Sequence, residues 1–351
     1  MTMPSTTSAS SATSPAPHDS TAASTAGSTP PPHPDTKPAG IDPDAPAILT
    51  LRNAHDVIRV APAIGGRLLD WRSDGHAVLR WPTEVDWRMP AKIRGGNPLL
   101  FPFIGRHFVD GEANRWRDAT GTVRPMPQHG FARDLPFEAR QLGGQSDDAS
   151  GVVLTLDSRR VDQAAAYPFD FVFEVEYELL GAGRLRTTLT VENRGDTPMP
   201  YYAGTHFYFD LPHALRSESR LALADASQHR QQADGGPGAA LSHRTAFALD
   251  DPLLQDTFHV LASPTPDRAG DRLLASLDTP SLGRTIRIVQ PPSNAAWYAV
   301  TTWSEAPDAD FYCIEPWLGL PDAIHHGQGL RWLQPHSREA AICVIEARFA
   351  R

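Results

Sequence analysis

Cysteine is nearly missing. Cys313 and Cys343 are the only two in 351 residues, too few for a disulfide framework and too widely spaced for a zinc motif, so a reducing cytoplasm is the expected location. Long apolar runs are missing as well: no stretch approaches the roughly 18 residues of a membrane span. Positive charge is in deficit, with 32 Lys and Arg against 41 Asp and Glu and a formal net charge of −9. A polyanionic partner needs a basic face that releases counterions, so neither nucleic acid nor an anionic membrane is expected. Phosphate-loop, His-Glu-x-x-His and Gly-x-Ser-x-Gly patterns do not occur. "GAGRLR", starting at Gly181, has Arg186 where a dinucleotide loop needs its third glycine, and a strand pattern follows it. Apolar stripes of helical period over three turns and repeats of fixed period are absent too.

What is present divides in two. Residues 1–46 are dominated by Ser, Thr, Ala and Pro, with no Leu, Val or aromatic before Ile41. Such a segment buries too little apolar surface to offset its ordering entropy, and is expected to be a disordered extension or a tether for a partner. It also lacks the basic start and apolar middle of a secretory signal.

Residues 47–351 have a different grammar. In "FDFVFEVEYELL", Phe169, Phe171, Phe173, Val175, Tyr177 and Leu179 alternate with Asp170, Glu174, Glu176 and Glu178. That period of two predicts a half-buried strand. "RLRTTLTVEN", beginning at Arg184, alternates again after a short glycine-containing loop, which predicts a hairpin. "AILTLRN", "GRTIRIVQ", "WYAVTTW", "DFYCIEPW" and "AAICVIEARF" repeat the pattern. The expected fold class is all-β: a large antiparallel sandwich of two packed sheets.

Several polar residues stand in apolar or Gly/Pro-rich surroundings. "MPQHGFARDLPFE" holds His129; "RGGNPLLFPFIGRH" holds Arg94, Asn97 and Arg106. "YYAGTHFYFDLP" places His206, Tyr208 and Asp210 on one strand face and Phe207 and Phe209 on the other. "FYCIEPWLGLPDAI" sets Glu315 between Cys313 and Trp317. A carboxylate buried there costs several kcal/mol unless paired or hydrogen-bonded. Tryptophan stacks on the C–H faces of sugars, while Arg, Asn and Asp supply hydrogen bonds for hydroxyls, so the set suits a polyol. Taken singly, a histidine such as His129 or His206 is more often a satisfied structural group, and a strand-end glutamate a salt-bridged one. Cys313 reads better as a small buried hydrophobe than as a nucleophile, and the adjacent His325 and His326 as loop residues rather than metal ligands.

In order and spacing, "GGNPLLFPFIGR", "HGFARDLPFE", "GTHFYFDLP" and "CIEPWLGLPDAI" resemble the aldose 1-epimerase family, the galactose mutarotase-like proteins, over roughly Leu49 to Arg351. The resemblance implies a large antiparallel β-sandwich with a sugar cleft, and an isomerase that needs no metal, nucleotide or flavin. It implies that His129 and His206 are the two active-site histidines, Glu315 the catalytic base, Arg106 a substrate-binding arginine and Asp256, in "LLQDTFHV", an acidic sugar-binding residue. Asn97 and Trp317 join the expected substrate-binding set. "GRHFVDG" lacks the Ala-Asn-Arg continuation of the galactose enzymes, and His129 precedes Gly-Phe-Ala-Arg rather than Gly-Gly. Both features look more like divergent bacterial branches and the hexose-6-phosphate branch. Two alternatives stand beside a mutarotase for a free aldose: a hexose-6-phosphate mutarotase using Arg94, Arg106 and Arg133, and a non-catalytic carbohydrate-binding module. The expected partner is a small sugar, with the chain a monomer or homodimer.

Overall fold

The computed structural model describes residues 46–143, 150–262, 270–293 and 295–350. Almost all of the extension expected at 1–46 therefore lies outside the described residues. From Pro46 onward the chain is built from strands; the longest helical element among the described residues is the single turn Ala323–His326. No helix among them is long and apolar enough to cross a membrane.

Two nine-stranded antiparallel sheets hold most of the strand residues among those described. One runs, edge to edge, through Leu49–Arg52, Asp56–Ala61, Arg67–Ser73, His76–Leu79, Phe207–Asp210, Phe311–Trp317, Ala299–Trp303, Thr257–Leu261 and Ala226–His229. The other runs through Ala246–Ala248, Arg220–Leu223, Arg272–Thr279, Arg284–Gln290, Ser337–Phe349, Arg184–Asn193, Phe171–Gly181, Gly151–Asp157 and Glu138–Leu142. Ile58, Val60, Trp71, Phe207 and Ile314 of the first sheet share one apolar core with Leu154, Phe173, Val175, Leu189 and Ile345 of the second. Side chains of alternating faces interlock between the layers, which is the sandwich that the period of two predicts.

The hairpin Phe171–Gly181 with Arg184–Asn193 shows how sequence sets this register. Phe171, Phe173, Val175, Tyr177 and Leu179 are buried, and the residues between them are half-exposed. The turn puts Ala182 and Gly183 at positive φ, and a Cβ on Gly183 would meet the Ala347 carbonyl oxygen at 2.2 Å, so glycine is required there. The strand starts two residues later than the alternation suggests. The Phe169 N–H turns back to the Tyr167 carbonyl, and the Asp170 carboxylate is claimed by Arg159, Arg194 and Ser158. Cys313 and Cys343 are both buried and unpaired.

Residues 97–107 cross between the sheets and bring distant segments together. Isolated bridges join Leu100 to Gly204, Phe101 to Gly130 and Phe103 to Tyr202. Their side chains anchor the crossing in an aromatic core, with Phe101 stacked on Phe173 at 4.4 Å and Phe103 on Tyr202 at 4.8 Å between centroids. The loops that carry His129 and His206 are thereby tied to one rigid strip.

Candidate active site

Strand Phe207–Asp210 pairs with Phe311–Trp317 through Phe207 opposite Ile314 and Tyr208 opposite Cys313. Continuing that register by one residue sets His206 across from Glu315, and the Thr205 N–H to Pro316 carbonyl bond holds it. The result is an imidazole Nδ1 3.4 Å from a carboxylate oxygen. Both residues are buried, His206 8% and Glu315 1% exposed, yet His206 Nδ1 and Glu315 Oε2 have no hydrogen-bond partner. Buried polar atoms are rarely left unsatisfied, so two on one close pair at the wall of a cleft mark a place kept for chemistry.

His206 is held rigidly. Its backbone N–H donates to Asn97 Oδ1 at 2.7 Å, and its ring stacks on Tyr208 at 4.6 Å with planes 3° apart. Asn97 in turn donates to the Tyr177 hydroxyl at 3.1 Å. This corrects the expectation for Asn97. Its side chain is wholly buried and engaged with protein on both sides, so it braces His206 from behind and does not face the cleft.

His129 reaches the same place from another loop, at φ +68° and followed by Gly130 at φ +75°. A Cβ on Gly130 would lie 2.0 Å from the Phe101 carbonyl oxygen, so this close crossing is open only to glycine. The His129 ring lies 5.9 Å from that of His206 and 6.0 Å from that of Trp317. Its Nδ1 accepts the Gly105 N–H at 3.2 Å. A neutral ring has one acceptor nitrogen; the fixed Gly105 N–H takes Nδ1, which leaves the proton on Nε2, 3.3 Å from the Gln128 amide nitrogen, itself a donor that offers that proton no acceptor.

The electrostatics follow from burial and from arginine. Burial first, then the guanidinium of Arg133, holds His129 well below the usual histidine range. Burial, then Arg133, Arg67 and Arg94, does the same to His206. Burial raises Glu315 well above the usual carboxylate range; Asp256 adds to this, while the Trp317 indole N–H, short of a full hydrogen bond, opposes it. Each shift favours the uncharged form. The favoured state of the pair is a carboxylic acid beside a neutral imidazole, with one proton between them.

These groups line a cleft of about 550 Å³. Arg106, Asp256 and Trp317 line it together with His129, His206 and Glu315. Arg106 and Asp256 are exposed at its rim, and Trp317 is 3% exposed on its wall. Arg94 and Arg133 line it too: Arg94 pairs with Glu305 at 2.9 Å and lies over Trp303, while Arg133 donates to the Gln128 carbonyl at 2.7 Å. The sequence reading did not pick out Arg67, Gln128, Arg230 and Trp303. Arg67 had a signal, an arginine at a buried position of an apolar strand, and it spends its guanidinium on the Pro90, Ile93 and Gly95 carbonyls that shape the cleft floor. Arg230 had none, because a loop arginine is normally solvated. Five guanidinium groups thus gather in one cleft of a chain whose net charge is −9. Asp210 shares the His206 strand face but does not reach the cleft. His325, exposed on the short helical turn, bonds Asp322 at 2.6 Å.

Comparison with known proteins points the same way. The family model described as aldose 1-epimerase matches residues 47–335. An Escherichia coli K12 protein that bears the provisional name glucose-6-phosphate 1-epimerase is 26% identical over 160 residues, 45% of this chain and 47% of that protein. The chain thus spans about half the length of that relative. Protein LacX of Lactococcus lactis is 23% identical over 80% of this chain and 90% of its own length. Among solved structures, Slr1438 of Synechocystis sp. PCC 6803 superposes with a TM-score of 0.72 at 26% identity, covering 88% of this chain and 98% of that one. The galactose 1-epimerase of Lactobacillus acidophilus shares the fold with a TM-score of 0.63 at 18% identity, covering 87% and 95%.

Proposed function

The chain belongs to the aldose 1-epimerase family, and we propose that it interconverts the α and β anomers of an aldose by opening and reclosing the sugar ring. One observation carries the reading: the buried pair of His206 and Glu315, 3.4 Å apart and unsatisfied, on the wall of a cleft that also holds His129 and Trp317.

The proton count explains why a pair is needed. Ring opening removes a proton from the anomeric hydroxyl and delivers one to the ring oxygen. Ionised Glu315 takes the first, and protonated His206 gives the second. The aldehyde then lies beside a carboxylic acid and a neutral imidazole. Rotation about C1–C2 turns the other carbonyl face toward the ring hydroxyl, and the two transfers run backward. No proton leaves the cleft over a full cycle. Burial favours the neutral pair, so the ionised pair that begins ring opening is the less favoured arrangement of the same proton, and both transfers run toward the favoured one. His129, kept neutral and with its proton on Nε2, donates a hydrogen bond to a sugar oxygen without competing as an acid. Trp317 offers its ring to a sugar face, and Arg106 and Asp256 hold hydroxyls at the rim.

A phosphorylated aldose is the second reading, favoured by Arg94, Arg106, Arg133 and Arg230, since Arg67 is spent on backbone carbonyls. A phosphate takes bidentate guanidinium contacts, and a neutral hexose does not need so much positive charge. The experiment is exchange spectroscopy between the anomeric protons of glucose, galactose and their 6-phosphates. The expected result is accelerated exchange, stronger for the phosphates. Acceleration of the free sugars alone would refute the phosphorylated reading. Binding shifts without acceleration of any sugar would replace the enzyme by a carbohydrate-binding module.

A further inference from the structure

Cys313 has no role in that chemistry, yet it stands two residues before Glu315 on the same strand face and opposite Tyr208. Its Sγ, a nitrogen of His206 and an oxygen of Glu315 all lie within 4.8 Å of one another. The three residues are 0%, 8% and 1% exposed. His206 and Glu315 each bring an unsatisfied atom to the group, Nδ1 and Oε2. A sulfur, an imidazole nitrogen and a carboxylate oxygen are the donors of a soft, tetrahedral transition-metal ion.

We propose that His206, Cys313 and Glu315 form a latent site for a soft divalent cation such as Zn²⁺, and that its occupation blocks the cleft's acid–base pair. The inhibitory half rests on the epimerase reading; the metal-binding half does not. The geometry is close to what a metal requires. A tetrahedron with arms of about 2.0–2.1 Å to nitrogen and oxygen has an edge of roughly 3.3–3.4 Å, and the His206 to Glu315 separation is 3.4 Å. Only the sulfur must approach. Its arm is the longest, about 2.3 Å, which sets the sulfur edges at roughly 3.6 Å, so from separations of at most 4.8 Å each of its two edges must shorten by at most about 1.2 Å. The cation enters from the cleft, which His206 and Glu315 line, and meets Cys313 behind them. A fourth position facing the cleft stays open to water, as in sites with three protein ligands.

The charge balance selects the kind of ion. Loading releases the thiol proton and the proton shared by Glu315 and His206, leaving one thiolate and one carboxylate against two positive charges. The arginines of the cleft repel a hard cation, whose bonds are electrostatic. A soft cation gains a strong thiolate bond instead. Once bound, the metal occupies the base and the acid together, so ring opening stops.

The test uses the full chain with Co²⁺ as probe. We expect a thiolate-to-cobalt charge-transfer absorption with tetrahedral ligand-field bands, displaced by Zn²⁺. Cys313→Ala should lose it, and Cys343→Ala, which alters the other buried thiol, should keep it. Loss of affinity in Cys313→Ala should exceed the roughly 10- to 100-fold that removing an outer-sphere partner costs. Anomeric exchange should stop on loading with Zn²⁺, return with a chelator, and resist Zn²⁺ in Cys313→Ala, whose exchange without metal matches the parent. Should Cys313→Ala not fold, Cys313→Ser, of nearly the same volume, takes its place. No charge-transfer band, or an undiminished one in the Cys313 variants, overturns the site. Full exchange in the Zn²⁺-loaded protein overturns the inhibition. A band without any anomeric exchange refutes the epimerase reading and leaves the metal site standing.

Discussion

Glu315→Gln separates chemistry from folding better than any other change in the cleft. The side chains have nearly the same shape, so the strand pairing of Phe311–Trp317 and the register opposite Thr301 need not move. What is lost is the base. A positioned acid or base contributes about 10² to 10⁴ in rate, so kcat should fall by that factor, about 2.7 to 5.4 kcal/mol of barrier at 1.36 kcal/mol per decade. Stability should move the opposite way. Burial holds the folded-state pKa of Glu315 well above 4.5. A raised carboxyl contributes fully below its unfolded value and loses that contribution as pH rises toward its folded value, at up to about 1.4 kcal/mol per pH unit. The glutamine has no such loss, so its urea midpoint should exceed that of the parent by more at pH 8 than at pH 5. Exchange spectroscopy gives kcat, and urea melts at the two pH values give stability. Turnover within a few fold of the parent would refute the role as base. Lost turnover with a lower midpoint at both pH values would mark Glu315 as structural.

Three further outcomes follow from the packing. His107 is wholly buried, without a partner for either ring nitrogen, and burial lowers its pKa to about 3. Its unfolded form takes up a proton first as pH falls below about 6.5, so it drains about 1.4 kcal/mol per pH unit from there down; urea midpoints of His107→Leu at pH 7.5 and 4.5 should differ less than those of the parent, and equal differences would refute the assignment. Asn97→Ala orphans the His206 N–H and takes one of two partners from the Tyr177 hydroxyl, which keeps the Leu68 backbone, at about 1–3 kcal/mol for the N–H; kcat should fall with little change in KM, and an unaltered kcat would deny the bracing role. Gly130→Ala drives a Cβ to 2.0 Å from the Phe101 carbonyl oxygen, whereas Gly121→Ala, also at positive φ, meets nothing within 4 Å; the second should cost about 1–3 kcal/mol of backbone strain and the first distinctly more by thermal melting.

Much of this protein is legible along the chain because a strand declares itself locally. Alternation in Phe171–Leu179 fixes which side chains go inward wherever the strand ends up, and the hairpin turn at Ala182 and Gly183 needs only its own residues and one close carbonyl. His129, His206, Glu315 and Trp317 stand out because polar or aromatic groups occupy positions where an apolar neighbourhood gives them no structural use. Asn97 shows where such reading ends. It looked like a sugar ligand because amides suit hydroxyls, but whether an amide faces a ligand or a backbone N–H is set by a segment more than a hundred residues away, at His206.

The sequence by itself therefore determined the sandwich, its alternating faces and the types of group available for acid–base chemistry, since each depends on residues within a few positions of one another. Only the tertiary structure decided how those groups meet. Residues 97–107 bridge the loops of His129 and His206, and the pairing of strands remote in sequence sets 3.4 Å between His206 and Glu315. Folding also gathers five arginines around that pair and places Cys313 behind it. Distances and shared low-dielectric surroundings are properties of long-range register, and no local periodicity encodes them.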